Sequence, residues 1–469
     1  MLGPNGSLGY RKAVEGRLLR KLDFRMTLLF FIYILNYVDR NSAAAARLRG
    51  FEEDLKLEKT QFASILSVFY VGYMLMQIPS NVLLTYVGKP SIYIPCCTLL
   101  WGTISFSTGL VTNYYSAIVA RFLLGFVEAG FYPGALFLIS RWYQRSELSQ
   151  RMAYFSCGIF IGEAFGSLIA SGILDAMDGI FGFAAWRWLF FVEGSLTILV
   201  ATVALFLLPD FPEAKKITWL THEEHMLARQ RMFEDSDKTS PTPSFGGTLE
   251  GCFLAFSDWK VWCMGIALYF ALLSVSFSMY FPTLASTLGY DPETTLLLCI
   301  PPWLFAAAEA LWVCRHSDKK GERCMHVIVP LAIGALGFLL AISTMNVVIR
   351  YTSLFLMAQT KAGTIGLFAW VSTATSGTPA KRAVALALVN TLSQSSNIVG
   401  AYVWVKEWGP TYRKSFAICT ATALVSITIC LWMRNTFKQL NRQMDLEDER
   451  RRSGSDSPED STRSWRYHT

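Results

Sequence analysis

The chain has 469 residues, of which 52% are hydrophobic, 14% aromatic and only 16% charged, with a mean hydropathy of +0.34. A soluble chain of this length carries more charge on its surface, so a water-soluble globular enzyme is excluded and a polytopic membrane protein is indicated. The net charge of +7 sits largely in loops and tails, a pattern that fits positive-inside topology rather than nucleic-acid binding.

The first 25 residues are polar and basic and show no cleavable signal, so the first apolar span is expected to direct insertion itself. Segment 1–26 is therefore assigned as a cytoplasmic tail. Six spans follow in segment 27–208, near Thr27–Ala46, Phe62–Val82, Ile92–Val111, Ala117–Ile139, Met152–Leu174 and Trp186–Leu208. The charged stretch 209–259 is far longer than the other loops and divides the spans six and six. Within it, Thr221 and Glu224 have capping-box spacing, which predicts a short amphipathic helix over about His222–Phe233. The segment Asp235–Gly247 reads as flexible. A second group of six occupies 260–434, near Val261–Leu284, Thr294–Val313, Val327–Met345, Tyr351–Thr373, Ala383–Val403 and Phe416–Met433. The remainder, 435–469, is polar enough to be read as a disordered tail.

Lys and Arg set the expected orientation. They crowd the N-terminal tail, the long loop, the loop after span eight and the C-terminal tail, which places both termini in the cytoplasm. One loop dissents: Arg47, Arg49, Lys56 and Lys59 fall outside, offset by Glu52, Glu53, Asp54 and Glu58. The ten cysteines are scattered, mostly within apolar blocks and without a CxxC pair, and read as small apolar core residues. His222 and His225 lie on a solvated helix with no third ligand in view, so no metal site is assigned. Neither a Walker loop, an HExxH motif nor a nucleophile elbow occurs, which argues against an enzyme and against an ATP-driven pump.

Charges inside the spans carry the chemistry, because an ionised side chain in hydrocarbon is costly and is retained for a function or a buried pair. Arg121 and Glu128 are seven residues apart, about two helical turns, so they share one face of span four. Either they form a buried structural pair or they serve transport. Asp39 and Arg40 close span one, and Glu163 lies mid-span five among Gly158, Gly162, Gly166 and Gly172. An organic anion entering a low-dielectric cavity needs a fixed cation, for which Arg40 and Arg121 are the candidates. A proton-coupled carrier needs a carboxyl whose protonation follows its surroundings, and Asp39, Glu128 and Glu163 are the candidates there. In the second half, Glu309 and Lys361 are isolated charges that could meet substrate or each other. Asn390, Gln394 and Asn397 repeat at helical spacing, either toward a cavity or toward a neighbouring helix. Tyr269, Tyr280, Trp303 and Trp370 could stack on an aromatic substrate or simply pack.

The loop SDKKGER, residues 317–323, resembles the acidic-basic-Gly-basic loop of the major facilitator superfamily, with Asp318, Lys319, Gly321 and Arg323 as its gating residues. Its first copy, NVLLTYVG near Asn81–Gly88, has Thr85 where that motif has Asp. Several further stretches narrow the likeness: LDFRMTLLFFIYILNYVDRN, GYMLMQIPSN, RFLLGFVEAGFYPG, RWYQRSE, WRWLFFVEG, ITWLTHEEH, KRAVALALVN and GPTYRKSF. Together they resemble the fungal allantoate/nicotinate permease family, in the anion:cation symporter branch of that superfamily. The resemblance implies an all-α integral membrane protein with twelve transmembrane helices in two six-helix bundles, the major facilitator fold. It implies proton-coupled uptake of a small carboxylated compound, with Arg40 toward the substrate carboxylate and Asp39 and Glu128 in proton coupling. Protons are then the coupling ion and no cofactor is expected. Expected partners are a small organic anion and membrane lipid, with no nucleic acid, and a monomer in the plasma membrane. An exporter of a small metabolite and a transporter-like nutrient sensor are the alternative readings.

Overall fold

The computed structural model describes residues 4–58, 60–213, 217–235, 253–375 and 379–454. The described chain contains helices and loops and no strand. The predicted flexible segment Asp235–Gly247 lies outside the described residues, apart from Asp235.

Contacts divide the chain into two units, Met1–Pro241 with Met279–Leu304, and Thr242–Ser278 with Phe305–Thr469. In the first unit, α1 runs Pro4–Ala46, α2 Gln61–Val87, α3 Pro90–Thr108, α4 Tyr114–Glu128 and α5 Phe131–Trp142. Helix α6 spans Arg145–Ala176, α7 Ala185–Leu207 and α8 His222–Asp235. The short helices α10 (Phe281–Ser286) and α11 (Pro292–Leu298) belong to the same unit. The most extensive pairings are α3 with α7, α2 with α4, and α1 with α6. The second unit holds α9 (Trp259–Ser274), most of α12 (Ile300–Lys320), α13 (Cys324–Ser343), α14 (Val347–Ala358), α15 (Thr360–Ala374), α16 (Pro379–Gln394), α17 (Ser396–Ala401) and α18 (Arg413–Gly454). There α18 and α13 form the centre, with α9, α14 and α15 packed on them.

Nine helical stretches among the described residues are long and apolar enough to cross a membrane. They coincide with nine of the expected spans. The first, third and eleventh expected spans are helical too, as part of α1, as α3, and as α16 with α17. Five expected spans are interrupted rather than continuous. Span four breaks at Ala129–Gly130, span seven through a tight turn of 3-10 helix at Val275–Tyr280, span eight at Cys299, span ten at Gln359 and span eleven at Ser395. Broken helices are tolerated within a membrane only where the freed backbone groups find partners or a wet cavity.

The C-terminal segment departs from the disordered reading, and the N-terminal tail is helical as well. Helix α1 begins at Pro4, so segment 1–26 is largely helical and continuous with the first span. Helix α18 runs on to Gly454, so most of 435–469 up to that residue is helix, and the remainder lies outside the described residues. The reason is local: residues 434–452 are rich in Arg, Lys, Glu, Gln, Leu and Met, good helix formers that need no core to extend a helix already nucleated.

Glycines let the first unit pack closely. A Cβ at Gly125 of α4 would lie 2.0 Å from the Phe69 carbonyl oxygen of α2, and one at Gly72 would lie 2.3 Å from the Phe122 oxygen. Gly158 and Gly162 perform the same service between α6 and α1, where a Cβ at Gly162 would meet Tyr37 Cβ at 2.6 Å. Gly172 does not, since nothing lies within 4 Å of its added Cβ. Gly125→Val is therefore expected to push α2 and α4 apart, at a cost of about 1–3 kcal/mol or more. A thermal melt of the detergent-purified variant that matched the unsubstituted protein would contradict this.

The loop helix α8 is strapped to its own unit. Thr221 and Glu224 form the expected capping box: the Thr221 amide donates to Glu224 Oε2 (2.9 Å) and the Glu224 amide donates to Thr221 Oγ1 (3.3 Å). Lys21 of α1 pairs with Glu224 at 2.8 Å, and the buried Arg231 pairs with Glu15 at 2.7 Å and Glu147 at 2.6 Å. Burial raises the Glu224 carboxyl, but Lys21 and the Thr221 amide outweigh it and hold it below the usual carboxylate value.

Candidate functional site

Asp39, Arg40, Asn41 and Ser42 are consecutive near the end of α1 and so fan out around the helix, with Asp39 and Ser42, three residues apart, both reaching α7. Asp39 is 1% exposed and turns toward α3 and α7. Its carboxylate accepts from Trp101 Nε1 at 3.0 Å, Ser105 Oγ at 2.8 Å and Thr197 Oγ1 at 3.2 Å. Arg40 turns toward α2 and α4. Its Nε donates to Glu128 Oε1, and its guanidinium lies over the rings of Tyr37 (5.2 Å), Phe69 (5.2 Å) and Tyr73 (5.1 Å). The Arg40 side chain keeps 15% exposure, whereas that of Glu128 has none. Asn41 donates to Glu163 Oε2 at 2.6 Å on α6. Ser42 contacts Glu193 of α7.

Of the two sequence readings of Arg121 and Glu128, a mutual ion pair is not the one seen. They share a face of α4, but Glu128 pairs with Arg40, not with Arg121. Arg121 is 2% exposed and donates Nη1 to the Asp39 carbonyl oxygen at 3.4 Å, while its Nε and Nη2 find no hydrogen-bond partner among the described residues. The physical reason is reach: a residue on a neighbouring helix can approach Glu128 head-on, whereas Arg121 lies two turns along the same axis. Asp39, Arg40, Arg121, Glu128 and Glu163 all converge on the end of α1. A guanidinium against a carboxylate and three aromatic faces in a nearly dry setting can bind a carboxylate in place of Glu128.

In the second unit the candidates are more dispersed. Glu309 of α12 is half-buried, and its Oε2 is buried without a hydrogen-bond partner among the described residues. Lys361 of α15 is 8% exposed, at the break after Gln359. The pairing of Lys361 with Glu309, one of two readings open from the sequence, is not seen among the described residues. Asn390 and Gln394 of α16 are half-buried, and the Asn397 amide donates to Gln394 Oε1 at 2.7 Å across the helix break. The aromatic candidates mostly pack. Trp370 is fully buried against Phe437, and in the first unit Trp303 lies 4.7 Å from Phe281. Tyr280 is also buried; Tyr269 retains exposure. The loop after α12 is tightly built: Arg323 pairs with Asp318 at 2.7 Å, Gly321 adopts φ +66°, and Glu322 pairs with Arg434 of α18 at 2.9 Å. Lys319 is exposed.

The Major Facilitator Superfamily model matches residues 29–401. The chain belongs to the major facilitator superfamily. This facilitator is 32% identical over 432 residues to the MFS-type transporter cnsO of Penicillium expansum, covering 89% of the chain and 82% of that protein. It is 27% identical to a candidate tartrate transporter of Agrobacterium vitis, covering 89% and 91%. Its fold resembles the crystal structure of a bacterial homologue of the human lysosomal transporter Spinster in an inward-facing, unoccupied conformation, with TM-score 0.69, 16% identity and coverage of 89% and 98%. It is thus an integral membrane transporter of twelve-helix architecture and not an enzyme.

Sequence reasoning missed two buried charges of this facilitator. Glu193 is 1% exposed within α7, and its signal was present: a lone acid in an apolar run, inside the stretch WRWLFFVEG. Arg350 of α14 is 4% exposed and donates to the Pro410 and Thr411 carbonyl oxygens at 3.1 and 2.8 Å. Those acceptors are backbone atoms some 60 positions away, which no residue pattern announces. In the basic loop after span one, Arg47 pairs with Glu52 at 2.8 Å, and Arg49 lies 3.6 Å from Asp175 at the end of α6.

Proposed function

We propose that this facilitator carries a small organic anion together with protons, by alternating access, and that it falls in the anion:cation symporter branch near the allantoate/nicotinate permeases. One observation carries the reading: Arg40 is held by Glu128 in a buried aromatic cage while keeping some access of its own. A carboxylate substrate and Glu128 compete for one guanidinium. Protonating Glu128 releases Arg40, so proton binding and anion binding favour each other. Carrying protons with the anion also reduces the charge crossing the low-dielectric barrier. The name of the Agrobacterium relative, which refers to a small dicarboxylate, supports the substrate class. Substrate contacts in the second unit are assigned to Glu309, Lys361, Asn390 and Gln394, and the loop Asp318, Lys319, Gly321 and Arg323 acts in gating. The protein works as a monomer in the plasma membrane with both termini cytoplasmic.

The test is uptake into proteoliposomes under an imposed inward proton gradient, with nicotinate, pantothenate, allantoate, tartrate and short peptides as candidates. Accumulation of one acid that collapses with a protonophore is the expected result. Efflux of a metabolite with no acid taken up would overturn the reading.

A further inference from the structure

Glu193 has no part in the competition at Arg40, yet it is among the most deeply buried acids of the first unit. It lies with Asp39 of α1 and Arg121 of α4 in a cluster whose members are each 2% exposed or less. Two ionised acids against one guanidinium would leave an uncompensated negative charge inside a membrane protein. Arg40 offers no relief, since Glu128 occupies it. Arg187, on the same helix as Glu193, is committed to the Gly109 and Val111 carbonyl oxygens at 2.9 Å each. Helix α3 faces the cluster with Trp101 and Ser105, which do not titrate, and α6 faces α1 with Glu163, already bonded to Asn41.

The donors each carboxyl meets distinguish the two acids. Asp39 accepts from three donors, an environment built for a carboxylate. Among the described residues, Glu193 meets only the Ser42 hydroxyl. Ser42 Oγ also lies 2.8 Å from the Val38 carbonyl oxygen, which can only accept. A serine hydroxyl has one proton. If that proton goes to Val38, the Ser42–Glu193 contact must be completed by a proton on Glu193.

We infer that Glu193 is a proton-binding site of this transporter, protonated while Asp39 is ionised, with its carboxyl donating to Ser42 Oγ. The inference deepens the proton-coupled reading and rests on it for its role in transport. The proton sits one turn of α1 from Asp39, and its loss would leave Arg121 shared between two carboxylates. Arg121 has the two uncommitted nitrogens, Nε and Nη2, to receive the second. Glu193 thereby adds a proton to the cycle that Asp39 and Glu128 do not account for.

The experiment is infrared difference spectroscopy of the purified protein in lipid at neutral pH, comparing it with Glu193→Gln. The expected result is loss of a protonated-carboxyl C=O band, with the carboxylate bands unchanged. Ser42→Ala should shift that band to higher frequency without removing it, since the acid stays neutral but loses its acceptor. Loss of a carboxylate band instead would overturn the inference, as would an unshifted spectrum in Ser42→Ala. Thermal stability supplies a second readout: Gln copies the neutral acid, so Glu193→Gln should melt as the parent does, and a large fall would show an ionised Glu193. Substrate-driven proton flux in vesicles tests the coupling separately. If the unsubstituted protein moves no protons, the transport reading fails while the infrared assignment stands. If it does, Glu193→Gln should move fewer protons per substrate, and an unchanged ratio would overturn its role in the cycle.

Discussion

Arg40→Ala is expected to lose at least tenfold, and up to about a hundredfold, in affinity for the transported anion. The estimate follows from a charge-assisted hydrogen bond of about 1.5–3 kcal/mol, at 1.4 kcal/mol per decade. The variant has a second effect that must be separated from the first. Removing Arg40 strands Glu128, whose side chain is fully buried, and an uncompensated buried charge costs about 3–5 kcal/mol. The double substitution Arg40→Ala with Glu128→Gln should recover the melting temperature without recovering binding. Recovery of both would show that Arg40 acts only as a structural partner. Arg40→Lys should fall between, because it keeps the charge but loses the fork and part of the stacking on Tyr37, Phe69 and Tyr73. Titration calorimetry or substrate protection in a thermal melt would read each affinity.

For Glu128→Gln the expected result is the loss of pH-driven accumulation, with the internal-to-external substrate ratio falling to about one, while exchange of labelled for unlabelled substrate persists. The argument is competition. In the unsubstituted protein Glu128 holds Arg40, and the anion displaces it most easily once Glu128 takes a proton. Anion affinity should therefore rise as pH falls. In the Gln variant the guanidinium is free at every pH, so affinity should be high and flat. A pH gradient that still drove uptake in this variant would remove Glu128 from the coupling scheme. A normal pH dependence of binding would remove the competition itself.

The fold was legible because membrane spans announce themselves by length and hydropathy, and the breaks were not. Hydropathy is indifferent to where a helix stops and restarts, so Val261–Leu284 read as one span although the backbone turns tightly at Val275–Tyr280. The site was legible by residue type. Each intramembrane charge named from the sequence at the end of α1, on α4 and on α6 does gather in one region. Partner choice was not legible. Arg40 and Glu128 are 88 positions apart, on α1 and α4, and only the folded bundle brings their side chains together. The in-helix spacing of Arg121 and Glu128 was real, but it left open whether the two pair with each other. Glu193 was visible as an acid in an apolar run, but its place beside Asp39 depends on α7 lying against α1 and α3.

Helix α1 has a consequence beyond the site at its end. It is a single uninterrupted rod from Pro4 to Ala46 that carries Arg40 near one end and Glu15 and Lys21 near the other. Arg40 and Glu15 are 25 residues apart, which at 1.5 Å per residue is roughly 38 Å. Such a rod works as a lever: a tilt of about 3° at the cage moves the far end by roughly 2 Å, since displacement scales with that length. That is enough to disturb the ion pairs of Glu15 with Arg231 and of Lys21 with Glu224. Cargo binding at Arg40 would then be reported mechanically at the water-exposed helix α8, where a fluorophore at an exposed position such as Phe233 could follow the loading of a site it never touches.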